Sequence, residues 1–233
     1  MLERSEHHLS HAANAYLSSG FERALVVTLD GYGSGLAGSI SLGEGGRLSR
    51  LHGLRFPHSL GSMYEMVTSS LGFHPDRHAG KVVGLAAHGD PGVLSEVLLQ
   101  RGSNSNGDLY LLENLFVFFT RDRAPHFPLG DVAAAYQHVL EVWACSIVDH
   151  WLHVAGCEHV VLSGGVTANV KMNQRIHELA GVKGIFVYPN MGDGGCGTGL
   201  ALLRSWPGGV PEPIRHVSLG PGFREGQVLT ALR

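Results

Sequence analysis

Residues 23 to 54 constrain the fold more than any other stretch, because they set three strand-like runs in a row with glycine clusters between them. Arg23 to Asp30 (RALVVTLD) is short, apolar and rich in β-branched residues, the composition of a largely buried strand. Gly31-Tyr32-Gly33-Ser34-Gly35 turns the chain, Leu36 to Leu42 runs back, Gly43 to Gly46 turns it again, and Arg47 to Leu54 supplies a third strand. An antiparallel meander follows from that order. Asp30 closes the first strand just before a glycine-rich turn, where a carboxylate stands at a sheet end and flexible backbone can come close to a ligand. Asp-Gly is equally ordinary hairpin chemistry, so the position alone leaves both readings open.

Ahead of the meander, the alanine-rich stretch Leu9 to Ser19 predicts a helix that Gly20 stops. His7 and His11 then stand one turn apart on one face, with Cβ atoms about 5 to 6 Å apart, a spacing at which two imidazoles can share a metal ion. Beginning so near Met1, this helix is expected to be weakly anchored. Downstream, Ser59 to Leu71 carries Leu60, Met63, Tyr64, Val67 and Leu71 at helical spacing, with Ser59 placed to cap it and the Met/Tyr stripe placed for the core. Gly80 to Gly89 (GKVVGLAAHG) is small-residued and glycine-flanked, and Lys81 is the right kind of point charge for a phosphate. It is not a P-loop, and a helix start with a solvated lysine explains the stretch equally well.

Residues 101 to 107 (RGSNSNG) read as a polar surface loop, and Leu109 to Leu112 and Leu115 to Thr120 as short strands, followed by a loop through Pro125 and Pro128. Asp131 opens a long amphipathic helix whose expected buried face runs from Val132, Ala135, Tyr136, Val139, Leu140, Trp143 and Ile147 to Trp151 and Val154, with Gly156 as its stop. His159 to Ser163 is a buried strand leading into Gly164-Gly165 and a helix containing Asn169 and Asn173. A strand, a glycine pair and a helix N-terminus can cradle an anion or nucleotide on backbone N–H groups and the helix dipole, although any tight strand-to-helix turn looks similar. Gly184 to Tyr188 is a further buried strand, and it delivers Asp193 on a glycine-rich loop ahead of a helix from Cys196 to Trp206. Asp30 and Asp193 thus occupy equivalent positions at strand ends. With His7 and His11 they complete a mononuclear N/O site of a kind that suits zinc, iron or manganese.

Composition removes several function classes. The 233 residues are 44% hydrophobic and 16% charged, which supports one sizeable core, and a formal charge of -3 leaves no electrostatic footprint for nucleic acid. The N-terminus carries charges and histidines where a secretory leader needs an apolar core, and no apolar run of 18 residues occurs, so neither a leader nor a membrane span is indicated. Cys145, Cys157 and Cys196 are odd in number and lack CxxC spacing, which fits a reducing cytoplasm better than a disulfide framework. A zinc hydrolase is also discouraged, since His8 stands where the HExxH motif has its general-base glutamate. Three antiparallel strands followed by alternating helices and strands argue for an α/β lobe.

Five segments carry a more specific message. HHLSHAANAYLSSGFERALVVTLDGYGSG, FPHSLGSMYEMVTSSLGF, GKVVGLAAHG, LSGGVTANVKMNQ and PNMGDGGCGTGLAL resemble, in the same order, the motifs of the O-carbamoyltransferase family of nodulation and antibiotic-tailoring enzymes. That resemblance implies an actin-like ATPase (ASKHA, RNase H-like) fold and metal-assisted transfer of a carbamoyl group from carbamoyl-adenylate, made from ATP and carbamoyl phosphate, to a hydroxyl of a sugar-like or antibiotic acceptor. Matched motif by motif, it makes His7, His11, Asp30 and Asp193 the ligands of a divalent metal (iron, zinc, manganese or magnesium). It makes Gly164, Gly165 and Asn169 nucleotide contacts, and Gly61 and Lys81 weaker phosphate contacts. Ala79 and His88 depart from the family pattern, which tends to have an acidic residue and a tyrosine there.

The same resemblance implies a domain arrangement: residues 1–20 as a helix of a mostly absent first lobe, 21–206 as the second ASKHA lobe with the metal and nucleotide site, and 207–233 as a connection toward an absent YrdC-like domain. No catalytic residue is expected within the chain itself. The competing expectation is a non-enzymatic metal- and nucleotide-binding module.

Overall fold

In a computed structural model of the protein, residues 4–112, 126–218 and 220–233 are described. The predicted strand Leu115 to Thr120 lies outside them. The meander forms as expected: β1 (Arg23–Gly33), β2 (Leu36–Glu44) and β3 (Arg47–Arg55) pair antiparallel in succession. Two later strands, β6 (His159–Ser163) and β7 (Gly184–Val187), add in parallel on the other side of β1, giving one mixed sheet in the order β3-β2-β1-β6-β7.

The central position of β1 explains its composition. Leu25, Val27 and Leu29 point to one face and Ala24 and Val26 to the other, and all five are buried. On the first face lie α2 (Leu60–Ser70), α3 (Pro75–Ala86), α4 (Gly92–Leu99) and the long α5 (Leu129–Ala155), which together make the larger core. On the second face α1 (His7–Tyr16) packs through Ala12, Ala13, Ala15 and Tyr16. A helix from Val170 to His177 is α6, one from Cys196 to Ser205 is α7, and one from Glu225 to Ala231 is α8. None of the described helices is long and apolar enough to cross a membrane.

Several expectations need correction. Far from being weakly anchored, α1 is buried along nearly its whole length, and Glu6 caps it by accepting from the N–H groups of His8 and Leu9. The stretch 101–107 is not a loop: Gly102–Ser105 (β4) pairs with Asp108–Leu111 (β5). Asn106 and Gly107 both take positive φ, 54° and 74°, the backbone that lets two residues reverse a hairpin, so polarity concealed a turn signal. Val154 is exposed rather than buried: in the last turn of α5, two residues before its left-handed stop at Gly156, Leu152 and Ala155 pack on the core and Val154 faces solvent. β7, at the sheet edge, is only half-buried.

Candidate metal centre and adjoining cavity

The sheet changes from antiparallel to parallel pairing at β1, and a crevice opens beyond the carboxyl ends of β1 and β6, the usual place for a ligand in such sheets. Parallel pairing ends at Thr28 with Ser163, and β1 is irregular between Leu29 and Gly33. Asp30 leaves the sheet in that irregular segment. Gly33 is needed opposite, since a Cβ there would collide with the His7 ring.

His7 Nε2 and His11 Nε2 lie 3.1 Å apart. Asp30 Oδ2 approaches them at 3.2 and 3.0 Å, and Asp193 Oδ1 at 3.5 and 3.3 Å. All four residues expected from sequence as metal ligands are thus brought together. Asp193 arrives on a short 3-10 turn (Asp193–Gly195) and is 78% exposed at its side chain, whereas His11 is fully buried. The donor set fits a metal ion. Atoms bound at 2.0 to 2.2 Å around a tetrahedral ion are about 3.4 Å apart, close to the spacings found here.

The surroundings prepare the imidazoles for that role. Ser163 Oγ lies 3.0 Å from Asn14 Oδ1 and 3.3 Å from His11 Nδ1. Asn14 Oδ1 is an acceptor only, so the serine hydroxyl donates to it and accepts from His11 Nδ1–H, which by inference leaves the Nε2 lone pair facing the carboxylates. Without a cation, a proton at that nitrogen must serve them instead. Burial opposes ionisation of Asp30, but hydrogen bonds from His11, the Gly31 N–H and His7 outweigh it and lower its pKa to about 2. His8, between the two ligand histidines in sequence, turns away into the core. Burial holds its pKa low, and it is placed between Thr28 Oγ1 at 3.1 Å and the Leu36 carbonyl at 3.3 Å.

Asp30 also borders a cavity of about 240 Å³ on the other face of its loop. Gly61, Gly165 and Asn169, expected from sequence as nucleotide or phosphate contacts, line it together with Tyr64, Glu65 and Asp76. Gly61 has to be glycine: a Cβ would sit 2.6 Å from the Asp30 carbonyl. Ser59 fixes the same junction by donating to the carbonyls of Asp30 and Gly31 at 3.0 and 2.7 Å while it caps α2. Glu65 is pushed toward its protonated form by burial and by the charges of Asp76 and Asp30.

The glycine-pair cradle differs in detail from the sequence expectation. Gly165–Ala168 is a 3-10 turn, and the helix proper starts only at Val170 with Asn169 as its cap. Gly164 does not line the cavity; its N–H donates to the Met191 carbonyl at 2.8 Å. Lys81 is exposed in the middle of α3, its Nζ 5.8 Å from the centre of the Phe73 ring, and is not among the cavity residues.

Two features escaped the sequence reading. Cys196, on the first turn of α7, brings Sγ to 3.6 Å from His11 Nε2. Burial and the charges of Asp193 and Asp30 push its thiol up to about 11. Its position three residues after Asp193 was the available signal. The second feature is Gln137, buried in α5. Its Oε1 accepts from Tyr64 and Asn169 at 2.7 and 2.8 Å, and its Nε2 donates to Asn169 Oδ1 and Glu141 at 3.0 and 2.8 Å.

Comparison with known proteins identifies the family and the fold. A family model described as carbamoyltransferase N-terminus matches residues 1–202. The nodulation protein NolO of Bradyrhizobium diazoefficiens is 32% identical over 234 residues, covering 95% of this chain and 42% of that protein. The nodulation protein NolNO of Sinorhizobium fredii is 31% identical over 228 residues, covering 92% and 33%. The chain therefore spans well under half the length of these relatives. Among solved structures, T. kodakarensis HypF superposes with a TM-score of 0.57 at 18% identity, over 87% of this chain and 36% of that one. Full-length HypF in its phosphate- and nucleotide-bound form gives 0.52 at 16%, over 86% and 42%. The likeness to HypF bears out the expected actin-like ATPase fold.

Proposed function

We propose, from the premise that the chain belongs to the carbamoyltransferase N-terminus family, that it forms the metal- and nucleotide-holding part of an O-carbamoyltransferase. In this reading a carbamoyl group passes from carbamoyl-adenylate, generated from ATP and carbamoyl phosphate, to the hydroxyl of a sugar-like or antibiotic acceptor. A YrdC-like domain of the whole protein supplies the adenylate, and a reducing cytoplasm suits the three free thiols. The observation that carries the proposal is the shared use of Asp30. Its Oδ2 closes the histidine cluster, and the same residue borders the cavity that Gly61, Gly165 and Asn169 line.

His7, His11, Asp30 and Asp193 would hold a divalent ion, which when bound supplies charge neutralisation at a phosphate and polarisation of the carbamoyl carbonyl. The chain's own residues do the placing. His11 is oriented by Ser163, Asp30 by the Gly31 N–H, and Asn169 by Gln137, so that the groups facing the adenylate are preset rather than recruited. Glycines at 61 and 165 leave room for backbone-close approach. One HypF structure is nucleotide-bound, which supports nucleotide binding as such.

The test uses the intact enzyme with ATP, carbamoyl phosphate and a panel of hydroxyl acceptors. Carbamoyl transfer is expected, with loss of transfer in His7→Ala and His11→Ala. Transfer unaffected by both substitutions would remove the site from the mechanism. Calorimetry showing ATP binding with no turnover in the intact protein would favour the non-enzymatic module instead.

A further inference from the structure

We infer that Cys196 supplies a sulfur donor to the histidine and carboxylate cluster, making it a site for a thiophilic first-row ion rather than for magnesium. The inference rests on the metal-site reading above and extends it to a residue outside the four expected ligands. Donor atoms of His7, His11, Asp193 and Cys196 all lie within 4.8 Å of one another. The Cys196 Sγ to His11 Nε2 distance is 3.6 Å. With Cys196 the cluster offers five donors, and in a five-coordinate ion, with angles of about 90° to 120°, nitrogen at about 2.05 Å and sulfur at about 2.3 Å stand about 3.1 to 3.8 Å apart, a range that includes this distance.

The backbone prevents Cys196 from retreating. α7 lies directly against α1, where a Cβ on Gly199 would overlap the Ser10 carbonyl and one on Gly195 would stand 2.7 Å from Asn14 Nδ2. Ser10 and Asn14 flank His11 on α1, so the contact that fixes the two helices also fixes Sγ beside the imidazole. On binding, the thiol proton passes to solvent and a sulfur–metal bond forms, leaving the oxidation states of both unchanged. A thiolate beside two imidazoles favours zinc, iron(II) or cobalt(II), while magnesium takes oxygen ligands and water.

Cobalt(II) added to the reduced protein reports both halves of the inference. The expected result is a set of visible d–d bands together with a near-ultraviolet sulfur-to-cobalt band. Cys196→Ser should keep the former, lose the latter and bind zinc at least about tenfold more weakly. A large excess of magnesium should not displace cobalt from the unsubstituted protein. Zinc-edge X-ray absorption of the unsubstituted protein should show a sulfur at about 2.3 Å, which needs no variant to fold. Visible bands that His11→Ala abolishes, with no near-ultraviolet band and no sulfur shell, would overturn the sulfur ligand and leave the metal site standing. No cobalt bands at all would overturn the metal site, and Cys196 with it.

Discussion

Asp30 stands between two regions of opposite character. On one side, His7, His11 and Asp193 bring lone pairs and negative charge to within 3.5 Å of one another, and little but a proton or a cation can reconcile them. On the other, Tyr64, Gln137 and Asn169 are joined by a hydrogen-bond ring, and the cavity that Tyr64 and Asn169 border is shaped by glycines and by that ring. The first region gathers donors suited to a positive charge, and the second frames a shape. The difference teaches which substitutions will be felt where. Removing a ligand from the cluster should change what it binds more than how the protein folds, whereas breaking the ring should do both.

The largest expected effect falls on the frame that both regions share. Gly164 has φ 95° and ψ 153°, a region open essentially to glycine alone, and a Cβ there would overlap the Leu29 carbonyl next to Asp30. Gly164→Ala should therefore cost about 3 kcal/mol or more, read as a lower midpoint in urea unfolding, and should weaken both regions together. Metal binding that survives unchanged in a folded Gly164→Ala protein would show that the cluster does not depend on the β1–β6 junction.

Next comes the cluster itself. His11→Ala removes a fully buried ligand and should lower zinc affinity by about 100-fold or more, measured by competition with a chromophoric chelator. Its effect on nucleotide affinity without metal should be small. Gln137→Leu should do the reverse. It strips the acceptor from the Tyr64 hydroxyl and from Asn169 Nδ2, both buried, at a cost of about 2 kcal/mol, and frees Asn169 to turn from the cavity. Nucleotide affinity should fall by about tenfold, the equivalent of one lost hydrogen bond, while zinc affinity holds. If both variants lose both ligands equally, the two regions act as one site and the contrast drawn at Asp30 fails.

The two regions were also unequally legible in the sequence. The cluster could be read because helical spacing pairs His7 with His11 and because strand ends followed by glycines mark Asp30 and Asp193. The meander could be read for the same kind of reason, since strand period and turn residues are local. Cys196 was missed because its role depends on the close packing of α7 against α1, a tertiary fact carried by Gly195 and Gly199. Gln137 was missed because it sits among apolar residues of a helix whose periodicity speaks only for core, and Tyr64 was read as core for that reason. Its phenol is indeed buried, with its ionisation suppressed by burial and by Glu141, but its hydroxyl belongs to the ring that holds Asn169. The hairpin at 102–111 was hidden by polarity, although Asn106-Gly107 is a strong turn pair.

The smallest expected effect concerns Lys81, where motif resemblance and geometry point in different directions. Resemblance makes it a phosphate contact, and a cation near the cavity is attractive because Asp30, Glu65 and Asp76 otherwise line it with negative charge. Yet its neighbours Ala79, Gly80 and Val83 face the cavity while the lysine itself is exposed and lies over the Phe73 ring. An exposed lysine over a phenylalanine contributes about 0.5 to 1 kcal/mol, so Lys81→Ala should lower the unfolding midpoint slightly and alter nucleotide affinity by no more than about twofold. Equilibrium binding of a fluorescent nucleotide to the unsubstituted and Lys81→Ala proteins, with and without zinc, measures the difference. A loss of tenfold or more on the substitution would show that α3 turns on binding to bring Lys81 to the phosphate, and that the cavity's shape is set by the ligand as well as by the ring around Gln137.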